Sequence, residues 1–348
     1  MMKSQQFAEA YRRLSAEIHD AGLARRRYLY FATRIIGWIL ALAALLVAVG
    51  ALGNSWLQLI PAGLIGLVMA QLGFLSHDAA HRTIFASRTW NEWVSRCISG
   101  LLMGLSYNWW MAKHNSHHAN PNKEGVDPDV ESTVLVLTPD ANARRKGLAA
   151  WISRLQGWFF IPLLSLEGLN LHVASVRMLL STPRLKHRFI ELLMIAVRHS
   201  AYAVLLWTVM TPGKAVAFLG VQIGVFGIML GGAFALNHIG RPTVPTDVHL
   251  DFLRRQVVMS RNITDGPLVR FLMGGLQYQI EHHLFPVVPR PNLPEVQEIV
   301  RRRCAELGIE YTERTLAQAF IHVVSYLNQV GSKYTDPYAC PLVRRYRG

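Results

Sequence analysis

The sequence predicts an all-α integral membrane protein, about four transmembrane helices beneath a helical cap, built as one domain over residues 1–348. Three observations lead there. Hydrophobic residues make up 51% of the chain and charged residues only 17%, against roughly 25% charged in a soluble domain. Several uncharged runs are long enough for a helix to cross about 30 Å of hydrocarbon. The basic residues are segregated into alternate loops.

In chain order, residues 35–52 hold no charge, and residues 56–75 are interrupted only by Gln58 and Gln71. Residues 189–210 form a weaker span, because Glu191, Arg198 and His199 lie inside it and such groups are costly at the bilayer centre unless paired. Residues 215–236 are interrupted by Gln222 alone. Segments 77–188 and 238–348 form the cap. Within it, residues 151–171 read WISRLQGWFFIPLLSLEGLNL, which is aromatic-rich but carries Arg154 and Glu167, as suits a helix lying in the headgroup plane. Pro294 opens a periodic run that ends at Leu307 with Gly308 behind it, and Thr312 starts a second that closes at Gly331. Proline at the start and glycine past the end mark helix boundaries. Gly227 and Gly231, spaced GxxxG in the last span, permit close approach of a neighbouring helix.

Charge placement sets the orientation. Of 36 Lys and Arg, seven precede residue 35, thirteen lie between 77 and 188, and fourteen follow 238. The joining loops hold none at 53–55 and only Lys214 in the other. This positive-inside pattern places both termini and the cap in the cytoplasm. The net charge of +14 is therefore read as topology. No nucleic-acid partner is expected, since that would want basic residues clustered with exposed aromatics on a soluble domain, whereas anionic membrane lipid or an acidic protein remains open. The first apolar run starts beyond residue 30 and is long enough to span, so no signal peptide is expected. Cys97, Cys304 and Cys340 stand singly, which excludes a CxxC metal or redox site.

Eight of the 14 histidines fall in four places: HDAAH (His77, His81), HNSHH (His114, His117, His118), NH (His238) and EHH (His282, His283), the last within GGLQYQIEHHLFP, where Gln279 precedes it. Positions i, i+3 and i+4 of a helix share a face, so each cluster can aim its imidazoles at a common point. His77 follows the second span and His238 the fourth, so both emerge on the side that carries the other two clusters. His19, His172, His187, His199, His249 and His322 stand alone and read as surface or core residues. An HxxHH pattern arises by chance in about 2% of chains with this histidine content and length, and QxxHH beside it makes a metal site the reading. HDAAH looks like the zinc pattern HExxH with Asp78 for Glu, but a catalytic zinc uses three protein ligands and water. Eight histidines suit two metals instead, and imidazole accommodates Fe, Cu and Zn alike, so spacing does not choose the metal.

HDAAH, KHNSHHANPNKEGVDPD, ALNHIG and QYQIEHHLFPVVPRPNL resemble the three histidine boxes and the additional histidine of the integral-membrane fatty-acid desaturases, over about residues 32–331. Gln279 stands where many members have a first histidine, as in the front-end and related acyl desaturases. The resemblance implies a catalytic di-iron centre that uses O2 and two electrons to remove two hydrogens from adjacent carbons of a fatty acyl chain on CoA or a lipid, leaving a cis double bond. It also implies a membrane of bacterial inner-membrane type with the active site cytoplasmic. One iron would take His77, His81, His114, His118 and His283; the other would take His117, His238 and His282, with Gln279 joining directly or through water. Asp78, Asp127, Asp129 and Glu281 could accept the free N–H groups of ligating imidazoles, and Trp109, Trp110, Phe74 and Phe234 could wall an acyl tunnel. No HPGG haem motif, GxGxxG fingerprint or iron–sulfur cysteine set is present. Electrons are expected from a separate donor such as ferredoxin with its reductase, steered by Arg254, Arg255 and Arg301 to Arg303. A lipid hydroxylase or ketolase on the same scaffold, and a non-enzymatic metal transporter, stay as alternatives. Transporters place their ligands near mid-membrane, whereas these histidines sit at or beyond helix ends.

Overall fold

A backbone in lipid must satisfy its own N–H and C=O groups, so the uncharged runs fold as continuous helices. After α1 (Met2–Asp20) come α2 (Tyr28–Leu52) and α3 (Leu59–Ala80), then α4 (Arg88–Cys97) and α5 (Tyr107–Ala119), separated by a π-helical turn at Ile98–Met103. Short α6 (Pro139–Ala143) and α7 (Gly147–Ser153) lead to α8 (Phe160–Ser181), followed by the hairpin of α9 (Arg188–Val209) and α10 (Pro212–His238). Beyond it lie α11 (Phe252–Val258), α12 (Pro267–Met273), α13 (Gln279–Leu284), α14 (Leu293–Glu306) and α15 (Leu316–Ser332). The strands β1 (Asn262–Ile263) and β2 (Glu313–Arg314) pair in parallel, Asn262 opposite Glu313. This computed structural model describes residues 2–332 apart from residue 133, so Cys340 lies outside the described residues.

Among the described residues, five helices are long and apolar enough to cross a membrane: α2, α3 with the turn before it, α8, α9 and α10. The protein is an all-α membrane protein. The fifth, α8, overlaps the stretch 151–171 expected to lie in the headgroup plane, and both its ends lie on the histidine side of the hairpins: Phe160 packs with Leu236 and Val323, and Leu179 O accepts from Arg188 Nε at the start of α9. That stretch breaks between α7 and α8, leaving Arg154 outside, and α8 runs on to Ser181 with Glu167 and Arg177 as its only charges. Glu191, which weakened the α9 span in the sequence, is fully buried and paired: Arg96 Nε donates to it at 3.0 Å and Ser106 Oγ at 2.6 Å.

The two hairpin turns meet, Thr211 N donating to Asn54 Oδ1 at 3.1 Å and Lys214 Nζ to Asn54 O at 2.7 Å. Both hairpins therefore turn on one side, and the histidine-bearing ends of α3 and α10 come together on the other. Glycine sets how closely α8 meets α10. A Cβ on Gly227 would lie 2.5 Å from Gly168 N, and one on Gly231 2.8 Å from Leu164 Cδ2, so the GxxxG face receives α8. Above the spans, α1 covers the cap core through Leu14 and Ile18, packed with Val257, Ile280, Leu284 and Val296. A third core joins α15 to α8 and α10 through Val323, Leu327, Phe160 and Leu236.

Candidate metal centre and the cavity beside it

Each cluster sits where a local signal ends or starts a helix. His77 occupies the last turn of α3 and His81 caps it. Ser106 caps the start of α5 by accepting from Trp109 N at 3.0 Å, which sets the phase of His114, His117 and His118 one to two turns later. His238 is the last residue of α10. The short α13 carries Gln279, His282 and His283 and is preceded by Gly274 and Gly275, both in the left-handed region at φ 56° and 99°. A Cβ on Gly274 would lie 2.2 Å from the Phe74 ring, so only glycine lets this chain settle onto α3 and bring α13 to the site.

The structure brings all eight box histidines together. His77, His81, His114, His118 and His282 each offer a nitrogen within 4.8 Å of the others, and His117, His238 and His283 form a second such group; either could hold a metal ion. The two groups adjoin, with His118 and His283 stacked at 4.2 Å between ring centroids. This differs from the expected division in one respect: His282 and His283 exchange places. Adjacent residues on a helix point about 100° apart, and the roll of α13, fixed by its packing, decides which faces which group. The isolated histidines lie outside both groups. His322 nonetheless comes close, its Nε2 3.0 Å from Gly240 O just beyond His238.

The donor atoms face one another. His81 Nε2 lies 2.6 Å from His114 Nε2, His282 Nε2 3.1 Å from His118 Nε2, and His117 Nε2 3.3 Å from His238 Nε2. Buried Nε2 atoms of His77 and His283 have no hydrogen-bond partner. Burial pulls His81 down to about 3 and holds His114, His118, His282 and His283 well below the usual histidine range, so these rings are neutral. Converging lone pairs on neutral imidazoles call for a cation among them. A divalent metal fits this donor set.

Behind the rings, other groups hold the tautomers. His117 Nδ1 donates to Asp127 Oδ2 at 2.9 Å, and Asp129 lies 3.4 Å away. Burial opposes charge on His117, but the Asp127 hydrogen bond and charge outweigh it and raise its pKa. His283 Nδ1 faces Gln256 Oε1 at 3.0 Å, and His238 Nδ1 donates to Met259 O at 3.1 Å. Neither Gln256 nor the Met259 carbonyl carried a signal in the sequence. Two expected acceptors are engaged elsewhere. Asp78 forms a two-pronged ion pair with Arg290, tying α3 to the segment after α13. Glu281 accepts from Asn262 and Tyr311, and burial pushes its carboxyl up to about 7. Asp129 pairs mainly with Lys113 at 2.8 Å, and although burial opposes it, that ammonium brings its carboxyl down to about 2.

A cavity of about 460 Å³ runs from the centre between α5, α8 and α10, within the usual range for small-molecule sites. His114 and His238, one from each group, line it with Trp110 and Phe234, and Phe160, Leu164 and Leu230 extend its apolar wall. Of the four aromatics expected to wall a tunnel, Trp110 and Phe234 do so. Phe74 instead lies beneath Gly274, and Trp109 packs in the membrane core beside Lys113.

With this geometry in place, the comparison with known proteins is direct. Residues 54–315 match the family model described as Fatty acid desaturase. The chain belongs to the fatty acid desaturase family. It is 28% identical over 345 residues to Fatty acid desaturase 3 of Bos taurus, covering 96% of this chain and 75% of that one. It is 25% identical over 339 residues to the Delta(8)-fatty-acid desaturase of Helianthus annuus, covering 94% and 74%. Delta(8)-fatty-acid desaturase 2 of Arabidopsis thaliana is 28% identical over 343 residues, covering 94% and 75%. The desaturase is thus an oxidoreductase of lipid metabolism, and its family places both histidine groups in the context of a metal centre.

The arginines expected to steer an electron donor mostly face carboxylates on the surface of the desaturase. Arg301 pairs with Glu313, Arg302 with Glu17, Arg303 with Glu17 and Glu306, and Arg254 with Asp251. Arg255 reaches toward Asn120 Oδ1 at 3.5 Å.

Proposed function

We propose that this desaturase uses O2 to introduce a cis double bond into a fatty acyl chain, carried on CoA or a lipid, at a pair of histidine-held irons. His77, His81, His114, His118 and His282 would hold one iron, and His117, His238 and His283 the other. The observation that carries the reading is that one histidine of each group, His114 and His238, lines the apolar cavity beside Trp110 and Phe234. When bound, such a pair of irons with O2 and two electrons supplies an oxidant able to attack an unactivated C–H bond, which side chains alone cannot do. The chain's own residues do the rest. Trp110, Phe234 and Leu230 exclude water and align the acyl chain past His114 and His238. Asp127 keeps the His117 proton on Nδ1, Met259 O keeps that of His238 on Nδ1, and both Nε2 atoms are thereby free to face a metal.

The positive-inside distribution supports a cytoplasmic centre, with electrons delivered there by a separate redox protein such as ferredoxin with its reductase. The family's named desaturases favour desaturation over hydroxylation on the same scaffold. Mass spectrometry of membrane lipids from cells expressing the protein, with and without His118→Ala, tests the reading. New unsaturated acyl chains that vanish in the variant are expected. Hydroxylated chains, or no change on expression, would refute it.

A further inference from the structure

We propose that Gln279 is not a metal ligand: its amide N–H points into the three-histidine group, leaving the second metal a position open to an anion or oxygen ligand, to which Gln279 donates a hydrogen bond. The inference rests on the two-metal reading above. Its origin is the neighbouring Asn237, which is fully buried at the end of α10. Asn237 Nδ2 donates to Ala233 O and Leu276 O, each at 2.9 Å. Both are carbonyls and can only accept, so the nitrogen end of this amide is fixed, even though Oδ1 is left buried without a partner.

Asn237 Nδ2 also lies 3.1 Å from Gln279 Oε1, so its two N–H groups serve three oxygens and one of them is shared. Turning the glutamine amide over would set two NH2 groups against each other, donor to donor. With its oxygen held by Asn237, Gln279 presents Nε2 to His238 Nε2 at 3.0 Å. His238 already gives its Nδ1 proton to Met259 O, so its Nε2 carries the lone pair that a metal would take. The glutamine N–H therefore aims at the metal position. An amide N–H cannot ligate a cation, but it can donate to a ligand of that cation.

The two groups then differ in kind. Five imidazoles surround the first position and three the second, so the second has fewer protein donors and more room for a ligand that the chain does not supply. An amide oxygen at Gln279 would have narrowed that opening. The N–H instead favours an anionic or oxygen-bearing occupant.

The test is binding, not turnover. Purified protein is loaded with iron, oxidised to the ferric form and titrated with azide, followed by its charge-transfer absorption, with iron per chain measured in parallel. Gln279→Leu is expected to keep both irons and bind azide about tenfold more weakly, the scale of one lost hydrogen bond to an anion. Gln279→Glu, nearly isosteric with the native residue, is expected to keep both irons and lose azide binding, because a carboxylate oxygen then faces the metal and fills the open place. It carries the test where the leucine variant does not fold. Loss of one iron in Gln279→Leu, azide binding undiminished or tighter there, or azide binding retained in Gln279→Glu overturns the proposal. Wild-type protein holding fewer than two irons would instead refute the two-metal reading, so the two failures are distinct.

Discussion

Replacing Asp127 with asparagine should empty one metal position and spare the other. The carboxylate is fully buried and accepts three hydrogen bonds, from His117 Nδ1 at 2.9 Å, Asn122 N at 2.8 Å and Asp129 N at 3.0 Å. Asparagine has one accepting oxygen, so its NH2 must face at least one of these donors. An unsatisfied buried donor costs about 1–3 kcal/mol. With its oxygen toward His117 and Asn122 the NH2 meets Asp129 N, and His117 keeps its bond but loses the carboxylate's charge; turned over, the NH2 meets His117, whose proton must then move to Nε2, where the ring no longer ligates. Loss of a partner behind a metal-bound histidine typically weakens metal affinity about 10–100-fold, or about 1.4–2.7 kcal/mol. The five-histidine group does not contain His117. Iron per chain, measured after dialysis against graded chelator, should therefore fall from two to about one in Asp127→Asn while the wild type keeps both. Asp129→Asn should change little, because Asp129 lies 3.4 Å from His117 and is held mainly by Lys113. Equal retention of both irons in Asp127→Asn, with helix content unchanged, would refute the argument.

His282→Ala should abolish unsaturated product, whereas His322→Ala should lower it only a few-fold through its Gly240 contact, and equal loss in lipid analysis would show the groups misassigned. Leu163→Trp, which intrudes on the cavity beside Leu164, should shift product toward shorter acyl chains; an unchanged chain-length profile would mean the cavity does not hold the substrate. Gly227→Leu should destabilise the protein by about 1–3 kcal/mol of overpacking against Gly168, seen as a lower melting temperature in detergent. Removing both Arg302 and Arg303 should leave turnover with an acidic electron carrier within about twofold, because each already faces a carboxylate; a steep loss in stopped-flow association would restore them as a docking surface.

The sequence by itself determined the class of fold and singled out the eight histidines that gather at its end. Uncharged runs report the cost of burying charge in hydrocarbon, a property of composition that needs no partner, and α2, α3, α9 and α10 carry those runs. Spacings of three and four report one helix face, so His114, His117 and His118 were readable as a unit from residue order alone. Histidine adjacency fails at the next level. His282 and His283 differ by about 100° of helix, and only the packing of Gly274 on Phe74 and the rest of α13 in the cap core settles which ring meets which group. Long-range contacts likewise took Asp78 to Arg290 and Glu281 to Asn262 and Tyr311, where nearness in sequence had suggested histidines, and they set Arg301 to Arg303 beside carboxylates. His322, 84 positions from His238, ends two residues from it in space at Gly240. What composition and helical period encode is local and survives in the linear chain. The roll of a helix, the partner of a buried charge and the acceptor behind a ligand are chosen by side chains hundreds of residues away, and they exist only once the hairpins have closed around the centre.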